Sequence, residues 1–584
     1  MNVLRRTIVR RTIVRRAIVR RIGMVLLYLL IACLALNALV ANFGVAMPGL
    51  AKLQPNDAIQ PSEFDIFYWN LWWVKHAVFE RHVSPLYTNY VIYPFTSPLA
   101  GHTLALWWGL ITAPLQDLIG LTPTFNLVMV LAFVLAATGM YAFARRHVKS
   151  QSVAVLAGLI FAFTPAMLHR ASLGHLDKLS VFWLPLVLLL WDKVIETRRW
   201  TWALITGLAL WFAWLTDFQQ AMWALLLLGP YVVYTLLKPR RHGDAEHRHQ
   251  LRAAAPLRLV AVMLGALIIP SLFAPLPQLL AANQLNYPPA RLEDTAYFAF
   301  PLQNLLIGSD NGDFSIGQLL PLLTVAALFV IRRDGRRWLW LIVALGGLLF
   351  ALGPYVEVNG TRLELPYALV HRLLGNQYRT PMRFMTPAVL ALTMVIALTL
   401  DQLGERFKWD SVRRRAVMVT LGVLFLFDYR LAEPFPITIM PDYQTYHDIA
   451  AAPGEFAVLE IPIGVRSGFA IVGRGEVLQY YAPVHQRPIP SGYLSRLPGE
   501  VTDTFYFDPL LGALTLSQAL PPQAELDTQL GDLIRRWNIG YVILHTDLLE
   551  AGRVRSFQRM LDRQPALERV GVEGALIVYK ARSP

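Results

Sequence analysis

Apolar stretches of roughly 17 to 22 residues recur along most of the chain, and short charged clusters separate them. A helix of this length, at 1.5 Å rise per residue, matches the roughly 30 Å hydrocarbon core of a bilayer. We therefore predict a mainly α, polytopic helical membrane bundle with about eleven spans. The predicted spans lie near residues 22–43, 123–144, 152–168, 179–195, 199–216, 220–237, 255–274, 317–331, 337–353, 384–401 and 414–428.

The basic residues indicate how these spans are oriented. Loops on the side of the N-terminus hold 29 Lys and Arg, whereas the opposite loops up to residue 427 hold 10. Because Lys and Arg concentrate on the cytoplasmic side of membrane proteins, we place the N-terminus in the cytoplasm and the chain in the cytoplasmic membrane. Counting the apolar segment 101–120 as a span would reverse this bias, so we predict a re-entrant or interfacial helix there.

Residues 1–21 are predicted to form a basic cytoplasmic tail. They repeat the pattern RRTIV RRTIV RRAIV RR, which places eight arginines before Gly23. Each basic residue near an anionic lipid surface contributes about 1 kcal/mol of attraction. We expect this tail to lie on the lipid headgroups of the bilayer.

The pattern changes after residue 429. Short or alternating apolar runs follow, and each is typical of a strand: FAVLEIPI, EVLQYY, IGYVILH and ALIVYK. We therefore divide the chain into the basic tail, a transmembrane domain over 22–429 and an extracytoplasmic α/β or α+β domain over 430–584. Juxtamembrane helices are predicted in the long outer loop 44–100.

Composition removes several classes of function. The chain is 55% hydrophobic with a mean hydropathy of +0.43, which is too apolar for an ordinary soluble protein. The net charge of +14 does not indicate nucleic-acid binding, because the basic residues lie between apolar windows rather than on one surface. Cys33 is the only cysteine, and P-loop and HExxH motifs are missing. No metal site is predicted, but a divalent cation stays open as a cofactor.

The first candidate site begins the outer loop's aromatic segment. The triplet Glu63-Phe64-Asp65 precedes the sequence FYWNLWWVKHAVFE, whose aromatic residues recur at helical spacing. We predict an amphipathic helix that lies flat at the membrane surface. One carboxylate is a candidate general base at the water–lipid boundary. Alternatively, both stabilise the start of the helix through its exposed N–H groups and dipole.

The second candidate site is the loop between the third and fourth predicted spans. The sequence LHRASLGHLDKLS carries five ionisable residues within ten positions, among them His175, Asp177 and Lys178. Ionisable groups at a membrane edge are costly and are therefore functional candidates. A phosphate or hydroxyl contact explains them, and so does a solvated turn whose charges pair with one another.

The third candidate site lies at the outer mouth of the tenth span. Arg379 and Arg383 occur there in NQYRTPMRF. Guanidinium groups bind phosphate oxygens in pairs and stay charged. These two arginines either hold a phosphate at headgroup level or anchor the end of a helix.

Several blocks of the sequence together resemble a known class of enzyme. They include Asp65 with YWNLWW, the stretch YPFTSPLAGHTL, TGMYAFARR, LAGLIFAFTP, Gly174-His175 with FWLPL, and RTPMRF; LEIPIG and SGYLSR add a weaker likeness in the tail. The layout and these blocks resemble the C-type (GT-C) multi-span membrane glycosyltransferases, in particular bacterial members that have not been characterised.

The resemblance implies a transfer that inverts the anomeric centre at the outer face of the membrane. A polyprenyl-phosphate sugar would be the donor, and a hydroxyl of a glycan, lipid or protein the acceptor. Asp65, with Glu63 beside it, would act as catalytic base. His102, His175, Asp177 and Lys178 would contact the substrates, and Arg379 and Arg383 would hold the lipid phosphate.

Two other functions fit the sequence. A transporter or flippase for a lipid-linked glycan needs a polar path through the spans, yet most predicted spans carry no charge at their centres. A non-catalytic assembly protein would bind partners through its tail, and its membrane-edge clusters would be dispensable.

Overall fold

The structure, a computed structural model, is described for most of the chain: residues 2–50, 62–99, 101–237, 254–277, 280, 287–305, 315–330, 335–358, 361–376 and 378–582. Up to residue 428, helices dominate these described ranges. The helices of eight or more residues are Asn2–Ala35, Phe64–Lys75, Leu106–Ile119, Leu121–His147, Gln151–Ala162, Pro165–Ser172, Trp183–Thr197, Trp200–Thr216, Phe218–Leu237, Ala254–Ser271, Leu319–Val330, Gly335–Ala351, Pro366–Leu373, Met385–Arg406 and Ser411–Asp428.

Four of the described helices are long and apolar enough to cross a membrane, which indicates a multi-pass membrane protein. These helices cover Ile18–Ala35, Leu121–His147, Phe218–Leu237 and Pro381–Arg406. Three shorter apolar helices accompany them: Trp200–Thr216, Leu257–Ser271 and Leu319–Val330. The total of eleven spans stays a prediction.

The predicted span 152–168 is wrong as a single helix. Two helices, Gln151–Ala162 and Pro165–Ser172, replace it and meet at an angle of 45°. Proline lacks a backbone N–H and disfavours the helical conformation of the residue before it, so a helix ends before Pro165 and a new one begins there. The bend directs the second helix toward the loop that carries His175.

The aromatic helix Phe64–Lys75 does not have the exposed polar face that the sequence analysis predicted. Every side chain from residue 64 to residue 74 is buried within the protein. Gly109 lets the neighbouring helix Leu106–Ile119 approach closely, because a Cβ at that position would lie 2.5 Å from the side chain of Val74. The predicted exposed face was wrong because other parts of the chain cover the side that would have met water, whereas the position of this helix at the membrane surface stays a prediction.

A four-stranded mixed sheet forms the centre of the tail. Its strand order is Leu567–Glu573, Leu576–Ala581, Ile539–His545 and Ala457–Ile461, and the last pair is parallel while the others are antiparallel. The helices Gln444–Ala451, Gly499–Phe507, Gln523–Arg536 and Ala551–Arg563 complete the tail. Three of the four predicted strands are present, but EVLQYY forms a 3₁₀ helix, Glu476–Tyr481, rather than a strand.

The tail packs directly on the described part of the loop 44–100. Strand Ile437–Ile439 pairs with strand Ala46–Pro48, and the backbone N–H of Ile489 donates to the carbonyl of Tyr90 at 3.0 Å. Within the tail, the strands Gly464–Arg466 and Ile471–Gly473 form an antiparallel hairpin. We call residues 464–473 the site hairpin, because it reaches the predicted site.

Candidate active site

Glu63 joins three parts of the chain. Its Oε2 accepts a hydrogen bond from Nε2 of His175 at 2.7 Å, and its Oε1 accepts one from Nη2 of Arg466 at 2.6 Å. Burial alone would raise the pKa of Glu63, but the hydrogen bond from His175 and the nearby positive charges lower it to about 2. Glu63 therefore carries a negative charge at neutral pH and has both carboxylate oxygens engaged. It does not cap the aromatic helix through its side chain.

Gly174 allows His175 to approach Glu63. It has a φ of +76°, and a Cβ there would lie 2.7 Å from the Cα of Phe64, at the start of the aromatic helix. Only glycine adopts this conformation without a steric cost and leaves room for the helix. The Gly174-His175 pair thus places the imidazole of His175 beside the carboxylate of Glu63. These two side chains come from loops 112 residues apart.

Asp65 differs from Glu63 although only one residue separates them. Its side chain is 4% exposed, and among the described residues no other side chain is hydrogen-bonded to it. Burial raises the pKa of Asp65 well above its usual range; the charge of Glu476 adds to the rise and that of Arg466 opposes it. A buried carboxylate that has a raised pKa and that no described side chain engages is suited to accept a proton from a hydroxyl group.

Lys178 is the centre of a buried ion cluster next to His175. Its ammonium group donates to Oδ2 of Asp177 at 2.8 Å and to Oδ2 of Asp217 at 2.5 Å, and its side chain is 2% exposed. Gln219 supplies a third acceptor at 2.8 Å when its amide is oriented with the oxygen toward Lys178. These contacts use the three N–H donors of the ammonium group, so Lys178 and Asp177 hold their loop in place.

Gln219 also links this cluster to the arginines. In the same orientation its oxygen accepts from Nη1 of Arg383 at 3.3 Å. The positive charge of Arg383 in turn contributes to the lowered pKa of Glu63. The structure therefore brings together the three clusters that the sequence analysis identified separately.

Arg379 lies between two aromatic rings at the edge of the site. Its guanidinium carbon is 5.3 Å from the ring centroid of Phe298 and 5.5 Å from that of Phe469. Its Nη1 donates to the carbonyl oxygen of Gly468 in the site hairpin. Phe469 also packs under Arg496, at 4.6 Å, so the hairpin gathers a second arginine at this edge.

His102 connects the aromatic helix to the tail. Its Nδ1 accepts from the backbone N–H of Ser495 at 3.1 Å, which leaves the proton on Nε2, and Nε2 donates to Oδ1 of Asn70 at 3.0 Å. Burial lowers the pKa of His102 to about 3. Both ring nitrogens are engaged within the protein, so His102 acts on the site through the loops that it fixes.

This environment predicts a pH dependence of stability. The folded-state pKa of His102 lies below the 6.5 of an unperturbed histidine, so the unfolded chain binds more protons between about pH 6.5 and pH 3. His102 therefore stabilises the fold fully above pH 6.5 and progressively less as the pH falls. We expect His102→Gln to reduce the loss of thermal stability between pH 7 and pH 4 in detergent-solubilised protein.

His447→Gln is the matched control, because His447 is 50% exposed and pairs with Asp442 at the surface. It should leave the pH dependence of the unfolding temperature as in the unmodified protein. If the unfolding temperatures of His102→Gln and the unmodified protein fell in parallel as the pH is lowered, this would show that burial does not hold His102 neutral.

The sequence analysis missed the contributions of the tail and of one turn. Arg466 lies two residues after the block LEIPIG, and Arg496 ends the block SGYLSR. The resemblance of both blocks is weak. Asp217 lies between two predicted spans, where an acidic residue is costly, and that signal could have identified it. Among the described residues, no three His, Cys, Asp or Glu side chains converge to hold a metal ion, so we derive no step through one.

Comparison with known proteins agrees with the resemblance seen in the sequence. Residues 122–273 match the family model described as dolichyl-phosphate-mannose-protein mannosyltransferase. No curated protein matches the chain by sequence. Among solved structures, arabinofuranosyltransferase AftD from Mycobacteria matches with a TM-score of 0.58 and 16% identity over 97% of this chain. The chain spans 40% of the length of AftD.

Two further structures have lower scores. ArnT from Cupriavidus metallidurans matches with a TM-score of 0.47 and 13% identity over 97% of this chain and 98% of ArnT. The oligosaccharyltransferase from Archaeoglobus fulgidus matches with a TM-score of 0.47 and 12% identity over 90% of this chain and 68% of its own. The fold assignment depends on AftD, whose score is higher. By this likeness and by the family match within its membrane domain, the chain has the fold of the GT-C membrane glycosyltransferases.

Proposed function

We propose that the chain is a membrane glycosyltransferase that moves a sugar from a polyprenyl-phosphate donor to an acceptor hydroxyl at the outer face of the cytoplasmic membrane. The observation that carries this proposal is the meeting of carboxylates, a histidine and arginines from separate loops of a glycosyltransferase fold. Glu63 contacts His175 and Arg466 directly, and Arg383 lies close enough to influence the charge of Glu63.

The two neighbouring carboxylates have different roles in this proposal. Asp65 is the general base, because its raised pKa makes it the stronger proton acceptor and no other described side chain engages it. Glu63 is a permanent anion with a pKa of about 2, so it is a poor base. Its charge instead orients His175 through Nε2. The other ring nitrogen, Nδ1, faces away from this contact, and we assign the substrate contact to it.

The reaction is a single displacement. The acceptor oxygen forms a bond to the anomeric carbon while its proton passes to the carboxylate of Asp65. The bond from the anomeric carbon to the phosphate oxygen breaks, and its electron pair leaves with the polyprenyl phosphate. Attack opposite to the leaving group inverts the anomeric centre.

Arg379 and Arg383 stabilise the charge that develops on the phosphate. Both are half-buried, and fixed cations in a partly water-excluded site stabilise a developing negative charge more than water does. They lie four residues apart, before and within the turn Pro381–Phe384 that opens the helix Met385–Arg406. This turn sets the two guanidinium groups at one end of the bundle.

A panel of donors tests the proposal. Purified protein in liposomes, supplied with an acceptor that carries a free hydroxyl, should consume sugars linked to polyprenyl phosphate. It should leave nucleotide-linked sugars unchanged, since we assign the site to a lipid phosphate at headgroup level. The measurement is the loss of radiolabelled donor, separated by thin-layer chromatography. Consumption of nucleotide-linked sugars alone would contradict the proposed donor class.

A further inference from the structure

The site hairpin brings a basic side chain from the tail into the centre of the candidate active site. Arg466 ends the strand Gly464–Arg466, and its Nη2 donates to Oε1 of Glu63 at 2.6 Å. The two residues are 403 positions apart in the chain. Their side chains are 24% and 23% exposed, so this ion pair is shielded from water more than a surface pair.

The surrounding contacts fix the guanidinium group of Arg466. The carbon Cζ lies 5.4 Å from the ring centroid of Tyr493, and Tyr493 belongs to the strand that pairs in parallel with the strand of Arg466. Two residues further along the hairpin, the carbonyl of Gly468 accepts from Arg379. The site hairpin is therefore held at two points, by Arg466 on the carboxylate of Glu63 and by Gly468 on the guanidinium group of Arg379.

From this geometry we infer that Arg466 is a positioning residue for the transfer reaction, so that the tail completes the active site. The inference rests on the proposed function. Arg466 fixes one oxygen of Glu63, and Glu63 can then present its other oxygen to His175 in a single orientation. Arg466 acts through Glu63 and does not itself touch the reacting atoms.

Arg466 also influences the base. Three charged groups act on Asp65: Glu63, which precedes the aromatic helix, and Arg466 and Glu476 of the tail. The two carboxylates raise the pKa of Asp65, and Arg466 lowers it. The 3₁₀ helix that begins with Glu476 packs on the aromatic helix, where Tyr480 stacks on Tyr68 at 4.8 Å. Removing the positive charge of Arg466 leaves the two carboxylates in place and takes away the cation that opposes them at Asp65.

Three variants test this inference. Arg466→Gln should lower kcat about tenfold or more, which corresponds to the loss of one charged hydrogen bond, and should leave the KM for the donor nearly unchanged. The acidic limb of its pH–rate profile should move to higher pH, because the base binds its proton more tightly. Arg466→Lys should restore the position of the limb but only part of kcat, since it keeps the charge and loses the guanidinium geometry.

Arg474→Gln is the matched control, since Arg474 is exposed and lies just after the same hairpin; its kcat and pH profile should match those of the unmodified protein. At pH values above the acidic limb of the profile, the double variant Glu63→Gln with Arg466→Gln should be no slower than Glu63→Gln alone, because Arg466 acts through Glu63. Unfolding temperatures, measured in parallel, identify any variant that fails to fold, and Arg466→Lys then decides the result.

The outcomes separate the two proposals. An inactive unmodified protein would contradict the proposed function and with it the role of Arg466. If the unmodified protein is active, two results would contradict the role of Arg466 alone. One is a folded Arg466→Gln or Arg466→Lys variant with unchanged kcat and pH profile. The other is a double variant in which the effects of the two substitutions add.

Discussion

Asp65→Asn is expected to lower the rate of sugar transfer by about 10² to 10⁴-fold, the range that a positioned general base contributes. The amide keeps the shape of the side chain but cannot accept the proton of the acceptor hydroxyl. Binding of the donor should persist, because the arginines that we assign to its phosphate are unchanged. The measurement compares kcat with donor affinity in the same preparation.

The fold should tolerate this substitution. Asp65 is buried and makes no hydrogen bond to another described side chain, so replacing it with a neutral isostere removes no ion pair. Asp503→Asn is the control, because Asp503 is exposed on a helix of the tail and should keep full activity. A folded Asp65→Asn variant with at least half of the normal kcat would exclude Asp65 as the base.

Replacing either arginine that we assign to the donor phosphate should have the second large effect. Arg379→Ala and Arg383→Ala should each weaken donor use by about 1.5 to 3 kcal/mol, the range for hydrogen bonds to charged groups. That is about tenfold or more at 1.4 kcal/mol per decade. Lys at either position should rescue the loss only partly, since an ammonium group keeps the charge but not the paired donors.

Arg406→Ala is the matched control for these variants. Arg406 is exposed and lies at the opposite end of the same helix, Met385–Arg406, so its loss should leave donor use unchanged. If both site variants kept full activity, or if Lys restored activity completely, Arg379 and Arg383 would be anchors of a helix end rather than phosphate ligands.

The elements with a clear apolar periodicity, or with an apolar stretch of characteristic length, were predictable from the sequence. The window 199–216 corresponds to the helix Trp200–Thr216, and the run IGYVILH forms the central strand Ile539–His545. In these segments the local pattern and the final environment agree. The cluster around His175 could be located from the sequence, because ionisable residues next to apolar windows stand out, but its burial could not.

The remaining features depend on contacts between distant segments. The aromatic helix has helical spacing, but the sequence does not show that the tail and the helix Leu106–Ile119 cover its polar side. Arg466 is an unremarkable basic residue in the tail until the hairpin brings it to Glu63. The difference between Glu63 and Asp65 also arises from such contacts, because His175 and Arg466 engage only one of the two carboxylates.

The stereochemical fate of the donor distinguishes a transferase with Asp65 as base from a flippase. Purified protein in liposomes would receive a polyprenyl-phosphate sugar labelled with ¹³C at the anomeric carbon and an acceptor with a free hydroxyl, and NMR would follow the anomeric signal. A transferase with Asp65 as base predicts a new glycoside of inverted configuration, with one polyprenyl phosphate released for each sugar transferred. Recovery of intact donor in the opposite leaflet without any new glycoside would contradict the account and would indicate a flippase.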